Sequence, residues 1–367
     1  MKPLSRPITS TNITAATAFA VLVLVCCAGT ARAQRADEYV PFPTAVVARE
    51  SVLRGGHSPR EARLRTLAPD TRLELLTGRV RRGYRFVSTP DGTQGWVRAR
   101  NLRAEPPALL REDALAPMRA GARREGPCAT SFDACKPSGC ADADSDRAAE
   151  RAEALVNTRK RDFASVAGAQ ERDAVLVTVA DMANLQGEAQ TKVGRASGAF
   201  SLEERGRLVD LHAARGTLRE GSLVKFAGFV ALSARRPEVA GDESVNCGFT
   251  ARAQKDFHIP VAARRGDTEF RGFVVEMIPQ SRPAGWTVPK LKAIQRDRRR
   301  ILVVGALFYD SAHRVNKDAA NPISNQPPRV SVWEIHPVSR FFVCNKTRGA
   351  CDPEDPAQWT PLERFTP

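Results

Sequence analysis

The sequence predicts a mostly β protein with accessory helices (α+β), built as two small barrels separated by a linker and a cysteine-containing helical region. Three observations predict it. Short apolar runs of period two, punctuated by Gly, Pro and Asp, occur in two separate blocks, residues 44–104 and 221–367. Between the blocks lie helical signals, including a Ser-x-x-Glu capping box. The chain has 367 residues, 42% of them hydrophobic and 26% charged, which excludes long disorder and suits two folded domains.

Residues 1–33 read as a secretory signal peptide. Lys2 and Arg6 form a basic start, Ala15 to Ala28 is almost wholly apolar, and Ala31-Arg32-Ala33 fits a small-x-small cleavage site. No later run approaches the roughly 20 apolar residues that a membrane helix needs. The expected mature protein begins at Gln34, has no integral membrane segment and is periplasmic or secreted. Cleavage removes three basic residues, Lys2, Arg6 and Arg32, and takes the formal charge from +15 to +12. Outside the cytoplasm such a charge favours anionic envelope polymers over nucleic acid. The basic clusters Arg159-Lys160-Arg161, Arg264-Arg265 and Arg298-Arg299-Arg300 are dispersed and read as solvated surface.

In the first block, residues 44–104, strands are expected at Ala45–Val47, Arg63–Leu67, Thr71–Leu76, Tyr84–Val87 and Gly95–Val97, with turns at Pro69-Asp70 and Pro90-Asp91-Gly92. The runs Val52-Leu53-Arg54-Gly55-Gly56-His57-Ser58, Leu67-x-x-Asp70-x-x-Leu73, Gly83-Tyr84-x-x-Val87 and Asp91-Gly92-x-x-Gly95-Trp96-Val97 resemble a bacterial SH3 domain over about sixty residues. His57 and Tyr84 stand where that family commonly has proline and tryptophan. The resemblance implies an SH3-like barrel that binds cell-wall peptides through an aromatic groove, with Tyr84 and Trp96 as groove residues. The competing expectation is that Trp96 fills the barrel's own core.

Residues 105–127 read as a Pro/Ala/Arg linker, and residues 128–220 as a cysteine-containing loop and helical region. Helices are expected over Asp144–Arg161, with acidic residues first and basic residues last, and from the Ser201-x-x-Glu204 capping box to Gly216. Six cysteines remain after cleavage, an even count that reads as disulfides in an oxidising compartment. Cys344 and Cys351 are expected to clip a short loop. Cys128, Cys135, Cys140 and Cys247 allow three pairings, which sequence leaves open. No C-x-x-C zinc knuckle is present.

In the second block, residues 221–367, strands are expected at Leu223–Leu232, Phe257–Val261, Phe273–Ile278, Ile301–Tyr309 and Val330–Val343, with a helix over Val288–Arg298 between the third and fourth. That order matches an OB-like five-stranded barrel, with Gly228 letting the long first strand bend. Here three of the five histidines follow a carboxylate at short range, in Asp256-Phe257-His258, Asp310-Ser311-Ala312-His313 and Glu334-Ile335-His336. Two-residue spacing in a strand puts Asp256 with His258, and Glu334 with His336, on one face, while Phe257, Ile259, Trp333 and Ile335 turn to the other. His258 and His336 are placed on neighbouring strands. Glu276 joins them as a carboxylate in the otherwise apolar run Val274-Val275-Glu276-Met277.

His258, His313, His336, Glu276 and Glu334 are therefore the candidate catalytic residues, and the three histidines the candidate ligands of a divalent metal such as zinc. The competing expectation is structural: hydrogen bonds that close the barrel, with no cofactor. No H-E-x-x-H, G-x-S-x-G or phosphate-cradling glycine loop is present. Glu243-x-Val245-Asn246-Cys247, Asp256-Phe257-His258-Ile259, Val275-Glu276-Met277-Ile278-Pro279, Leu307-Phe308-Tyr309-Asp310-x-x-His313 and Trp333-Glu334-Ile335-His336-Pro337-Val338 resemble an uncharacterised domain of exported bacterial proteins, over about 120 residues. That resemblance implies a unit and supplies no reaction. The expected function is a non-catalytic, exported envelope protein that recognises peptidoglycan or another anionic polymer. The alternative is a metal-dependent hydrolase or nuclease built on the histidine and carboxylate residues.

Overall fold

Turn chemistry divides the first block. Asp70 (φ 62°) and Gly92 (φ 83°) adopt left-handed backbone at the two expected turns, and Arg82-Gly83 (φ 48° and 79°) makes a hairpin turn with both central residues left-handed. The computed structural model describes residues 44–104, 126–239, 243–323, 326–346 and 350–367. The expected signal segment, and the expected linker up to residue 125, lie outside the described residues. Seven strands result: β1 (Thr44–Val47), β2 (Ser51–Arg54), β3 (Arg63–Leu67), β4 (Arg72–Arg81), β5 (Tyr84–Ser88), β6 (Gln94–Arg98) and β7 (Leu102–Ala104). They pair in the order β3-β2-β6-β5-β4-β1-β7 and curl around Val47, Leu53, Leu67, Leu73, Val87 and Val97.

The middle region departs from expectation. Helix α1 (Ala148–Lys160) is present. Strand β8 (Val175–Val177) then leads into α2 (Val179–Val193), a helix the sequence reading passed over. Its capping box uses Asp181 at the third position where Glu or Gln is usual, with Thr178 as the cap, and Gly194 ends it in the left-handed region. The helix expected from Ser201 to Gly216 stops early: α3 covers only Leu202–Gly206. Asp210 (φ 50°) turns the chain, and β9 (Leu211–Ala213) pairs with β10 (Gly216–Leu218) to bury Leu211 and Leu218 from a ribbon.

The second block is an OB-like barrel, as expected. Its strands are β11 (Leu223–Val230), β13 (Phe257–Ala262), β14 (Gly272–Met277), β15 (Arg300–Tyr309) and β16 (Trp333–Cys344), with α4 (Val288–Arg296) between β14 and β15. Antiparallel pairs β11–β13, β13–β14, β16–β15 and β15–β11, with the parallel pair β14–β16, close the ring. Closure requires β11 to serve two neighbours, and it turns from β15 to β13 at Gly228, where a Cβ would lie 2.5 Å from the Ala262 carbonyl oxygen. Short strands β12 (Glu238–Val239) and β17 (Trp359–Pro361) extend the edges, and β8 adds in parallel beside β11. Helix α2 plugs the barrel: Met182, Leu185 and Ala189 join its core, and Gln186 Nε2 donates to the buried Tyr309 hydroxyl at 2.8 Å.

Cys344 and Cys351 are bonded as expected, and the four remaining cysteines pair as Cys128–Cys140 and Cys135–Cys247. The second of these ties the cysteine loop to the barrel. Among the described residues no helix is long and apolar enough to cross a membrane.

Candidate functional site: a buried histidine and carboxylate network

Strand register builds the site. His258 on β13 stands directly opposite Glu276 on β14, and Val275 is paired with Ile335 on β16, so Glu276 shares its face with Glu334 and His336. Phe257, Ile259, Val275, Trp333 and Ile335 take the opposite face and enter the core. The expected facing is correct, but His258 and His336 are not on neighbouring strands. OB closure inserts β14 between β13 and β16, so Glu276 stands between the two imidazoles.

The side chains form one continuous chain of contacts. His258 Nε2 lies 3.2 Å from Glu243 Oε1 and 3.3 Å from Glu276 Oε1. The other oxygen of Glu276 faces His336 Nδ1 at 3.2 Å, and Glu334 Oε2 lies 3.5 Å from the same nitrogen. Arg329 Nη1 joins Glu334 at 2.6 Å to Asp310 at 3.2 Å, and Asp310 holds His313 through a short contact to Nδ1. Asp256 Oδ2 faces His336 Nε2 at 3.8 Å, while Oδ1 accepts from Asn246, which accepts in turn from Gln280. None of these histidines, carboxylates or Arg329 is more than 6% exposed. The three imidazoles do not meet at one point, since His313 is held apart on Asp310. Among the described residues, donor atoms of Asp256, Glu276 and His336 are the ones from this network that lie within 4.8 Å of one another.

Crowding of like charge separates the protonation behaviour of the members. Burial by itself would depress the His258 imidazole, but Glu276 and Glu243 overcome it and hold its pKa well above the ordinary value. Burial works against ionised Glu276 too, and the two flanking imidazoles overcome it and push that carboxyl below its usual range. Glu334 is driven well up by burial and by the neighbouring Glu276 and Asp310 carboxylates, against the pull of Arg329. Asp256 is raised by burial, with His336 opposing.

Sequence reasoning missed two cations of this network. Arg329 precedes β16 in a loop, with nothing local to mark it. The sequence places Lys160 with its basic neighbours on solvated surface, and the structure corrects this: Lys160 is 1% exposed and acts electrostatically on Asp256, Glu276, Asp310 and Glu334. The end of α1 is drawn in because Asn157 donates to Ser138 O (2.8 Å) and Ser244 Oγ (3.2 Å), and Arg161 to Cys135 O (2.9 Å). The helix end and the disulfide-stapled loop thus pack beside the network.

Tyr84 and Trp96 lie in the first barrel, away from this network. They are not in that barrel's own core. With Leu76 and Phe86 they form a separate cluster on the other side of the sheet, where Phe86 and Trp96 are cross-strand partners 5.1 Å apart between ring centroids. Ile323 from the loop between β15 and β16 completes the cluster and leaves Tyr84 and Trp96 only 3% and 2% exposed. The Tyr84 hydroxyl is buried there without a hydrogen-bond partner. The same loop is held on the barrel by the Arg314–Glu74 ion pair, by Gln94 Nε2 donating to Val315 O (2.9 Å), and by Arg81 donating to Asn321 Oδ1 (2.8 Å).

Comparison with family models, with curated proteins and with solved structures finds no match to this chain.

Proposed function

We propose that the protein is an exported, non-catalytic binding protein of the cell envelope, which recognises peptidoglycan or another anionic envelope polymer through the aromatic cluster of its first barrel. The observation that carries this reading is the cluster itself. Four large side chains gather outside the barrel's core, with a buried hydroxyl that no protein group satisfies, and one aliphatic side chain from a distant loop is inserted among them. An aromatic strip with a polar tip suits a peptide or sugar ligand, and Ile323 holds the place that such a ligand would take.

The test uses the mature chain, residues 34–367, sedimented with purified peptidoglycan. Replacing Ile323 by Asp uncovers the strip and is expected to raise the pelleted fraction several-fold over wild type. Adding Tyr84→Ala to that variant should return it to the wild-type level. Equal pelleting of wild type and Ile323→Asp, with both folded by circular dichroism, would remove the assignment.

A further inference from the structure

We propose that Asp256, Glu276 and His336 bind one divalent transition-metal cation, which fastens the outer face of β13, β14 and β16 beneath the stapled loop. This is independent of the envelope-binding reading and rests on a different face of a different barrel. The donor set is two carboxylates and one imidazole, a combination suited to zinc or manganese.

Three features point to a cation. The first is spacing. His336 Nε2 and Asp256 Oδ2 are 3.8 Å apart, beyond hydrogen-bond length, whereas two ligands of a tetrahedral ion with bonds of ~2.0–2.1 Å stand about 3.3–3.4 Å apart. A small contraction would place both on one ion. The second is the carboxylate oxygen itself. Asp256 is fully buried, and its Oδ2 has no hydrogen-bond partner although Oδ1 is satisfied by Asn246. A buried carboxylate oxygen aimed at a ring nitrogen it does not bond is costly unless something positive sits between them.

The third is the set of supports behind the donors. Asn246 orients Asp256 and is itself oriented by Gln280, while Glu334 Oε2 lies 3.5 Å from Nδ1 of His336, so Glu276 would have to turn from that nitrogen to join the ion. A carboxylate behind a ligating imidazole, and an amide behind a ligating carboxylate, are the arrangements that fix metal donors. Five carboxylates (Glu243, Asp256, Glu276, Asp310 and Glu334) are buried together in the network, and the positive groups that act on them are Lys160, Arg329 and the imidazoles, with Arg161 and Arg282 acting on Asp256. With every donor at most 3% exposed, such an ion would be acquired as the domain folds and would act as a staple.

The experiment uses full-length protein exported to the periplasm, purified without a histidine tag and without chelator. Elemental analysis is expected to find one equivalent of zinc or manganese. Removing it with a chelator should lower the melting temperature by roughly 5–10 °C, reversed by adding back Zn²⁺ or Mn²⁺. Asp256→Asn and His336→Gln should each lose the metal and the chelator response, whereas His313→Gln, in the same network but off the site, should keep both. If the two ligand variants do not fold, Co²⁺ added to stripped wild type decides: visible absorption without a thiolate charge-transfer band supports the oxygen and nitrogen donor set. Protein that carries no metal and shows no shift with added Zn²⁺ or Mn²⁺ overturns the proposal. So does a metal retained in both ligand variants, or a cobalt spectrum dominated by thiolate.

Discussion

Arg329→Met removes one guanidinium from between two carboxylates. In the wild type Nη1 lies 2.6 Å from Glu334 and 3.2 Å from Asp310, and neither acid's side chain is more than 2% exposed. Methionine retains most of the stem, so the perturbation is electrostatic rather than a cavity. Stripping one partner from a buried ion pair costs about 3–5 kcal/mol, and the lower figure, about 3 kcal/mol, applies here. Asp310 keeps His313 and Lys160, and Glu334, already driven up by its carboxylate neighbours, can take up a proton. The sign of the pH dependence follows. Without Arg329 both carboxyls sit higher in the folded protein than before, so the folded variant binds more protons than the folded wild type. The deficit is therefore full above those raised values and shrinks as the pH falls through them, first through that of Glu334, which already stands well above the ordinary carboxylate range. Thermal unfolding of residues 34–367, followed by far-ultraviolet circular dichroism, is the assay. At about 2–4 °C per kcal/mol for a domain of this size, the expected drop at pH 8 is roughly 6–12 °C, and smaller at pH 5. A drop at pH 8 equivalent to less than about 1 kcal/mol, or an equal drop at both pH values, would refute the reasoning.

Two other predictions follow from covalent and backbone geometry. Non-reducing peptide mapping should find Cys128–Cys140, Cys135–Cys247 and Cys344–Cys351; removal of the second, with sequence separation 112, should cost up to about 4.8 kcal/mol against about 2.5 for the third, with separation 7, by denaturant midpoint. A Cys128–Cys135 peptide would contradict the fold of the stapled loop. Gly272→Ala should destabilise by roughly 2–3 kcal/mol or more, because its Cβ would lie 1.9 Å from Val261 O, whereas Gly187→Ala in α2, which meets nothing, should be neutral or stabilising by up to about 1 kcal/mol. Equal effects of the two alanines in urea unfolding would show that the close approach of β13 and β14 is not as drawn.

What was legible in the sequence follows the reach of each signal. The five barrel strands and α4 announced themselves because period and flanking turns are local, and their order matches that of an OB barrel, an order other five-stranded folds share. The helix that plugs the barrel did not. Val179–Val193 contains an internal glycine, and its apolar positions are interleaved with Asp181 and Gln186, which are buried because the capping box and the Tyr309 hydroxyl satisfy them. The over-long helix after Ser201 is the opposite error: the capping box was correct, but the apolar spacing of Leu208, Leu211 and Leu218 reflected burial from a ribbon.

For the site, facing was legible and adjacency was not. Alternation puts Asp256 with His258, and Glu334 with His336, on one face of each strand, and Glu276 stands out as a carboxylate in an apolar run, yet only the parallel β14–β16 pairing, a long-range fact, sets Glu276 between the two imidazoles. Arg329 and Lys160 carry no local mark, because their burial is a consequence of the acids they neutralise. The loop between β15 and β16 connects the two halves of the molecule in the same way. Asp310, His313 and Arg329 root it in the network, while Arg314 and Ile323 rest on the first barrel. A side chain that neutralises the network and one that covers the aromatic strip thus belong to one stretch of chain. Loosening the root by Arg329→Met should therefore also weaken the cover, and peptidoglycan pelleting of that variant should rise in the direction expected for Ile323→Asp.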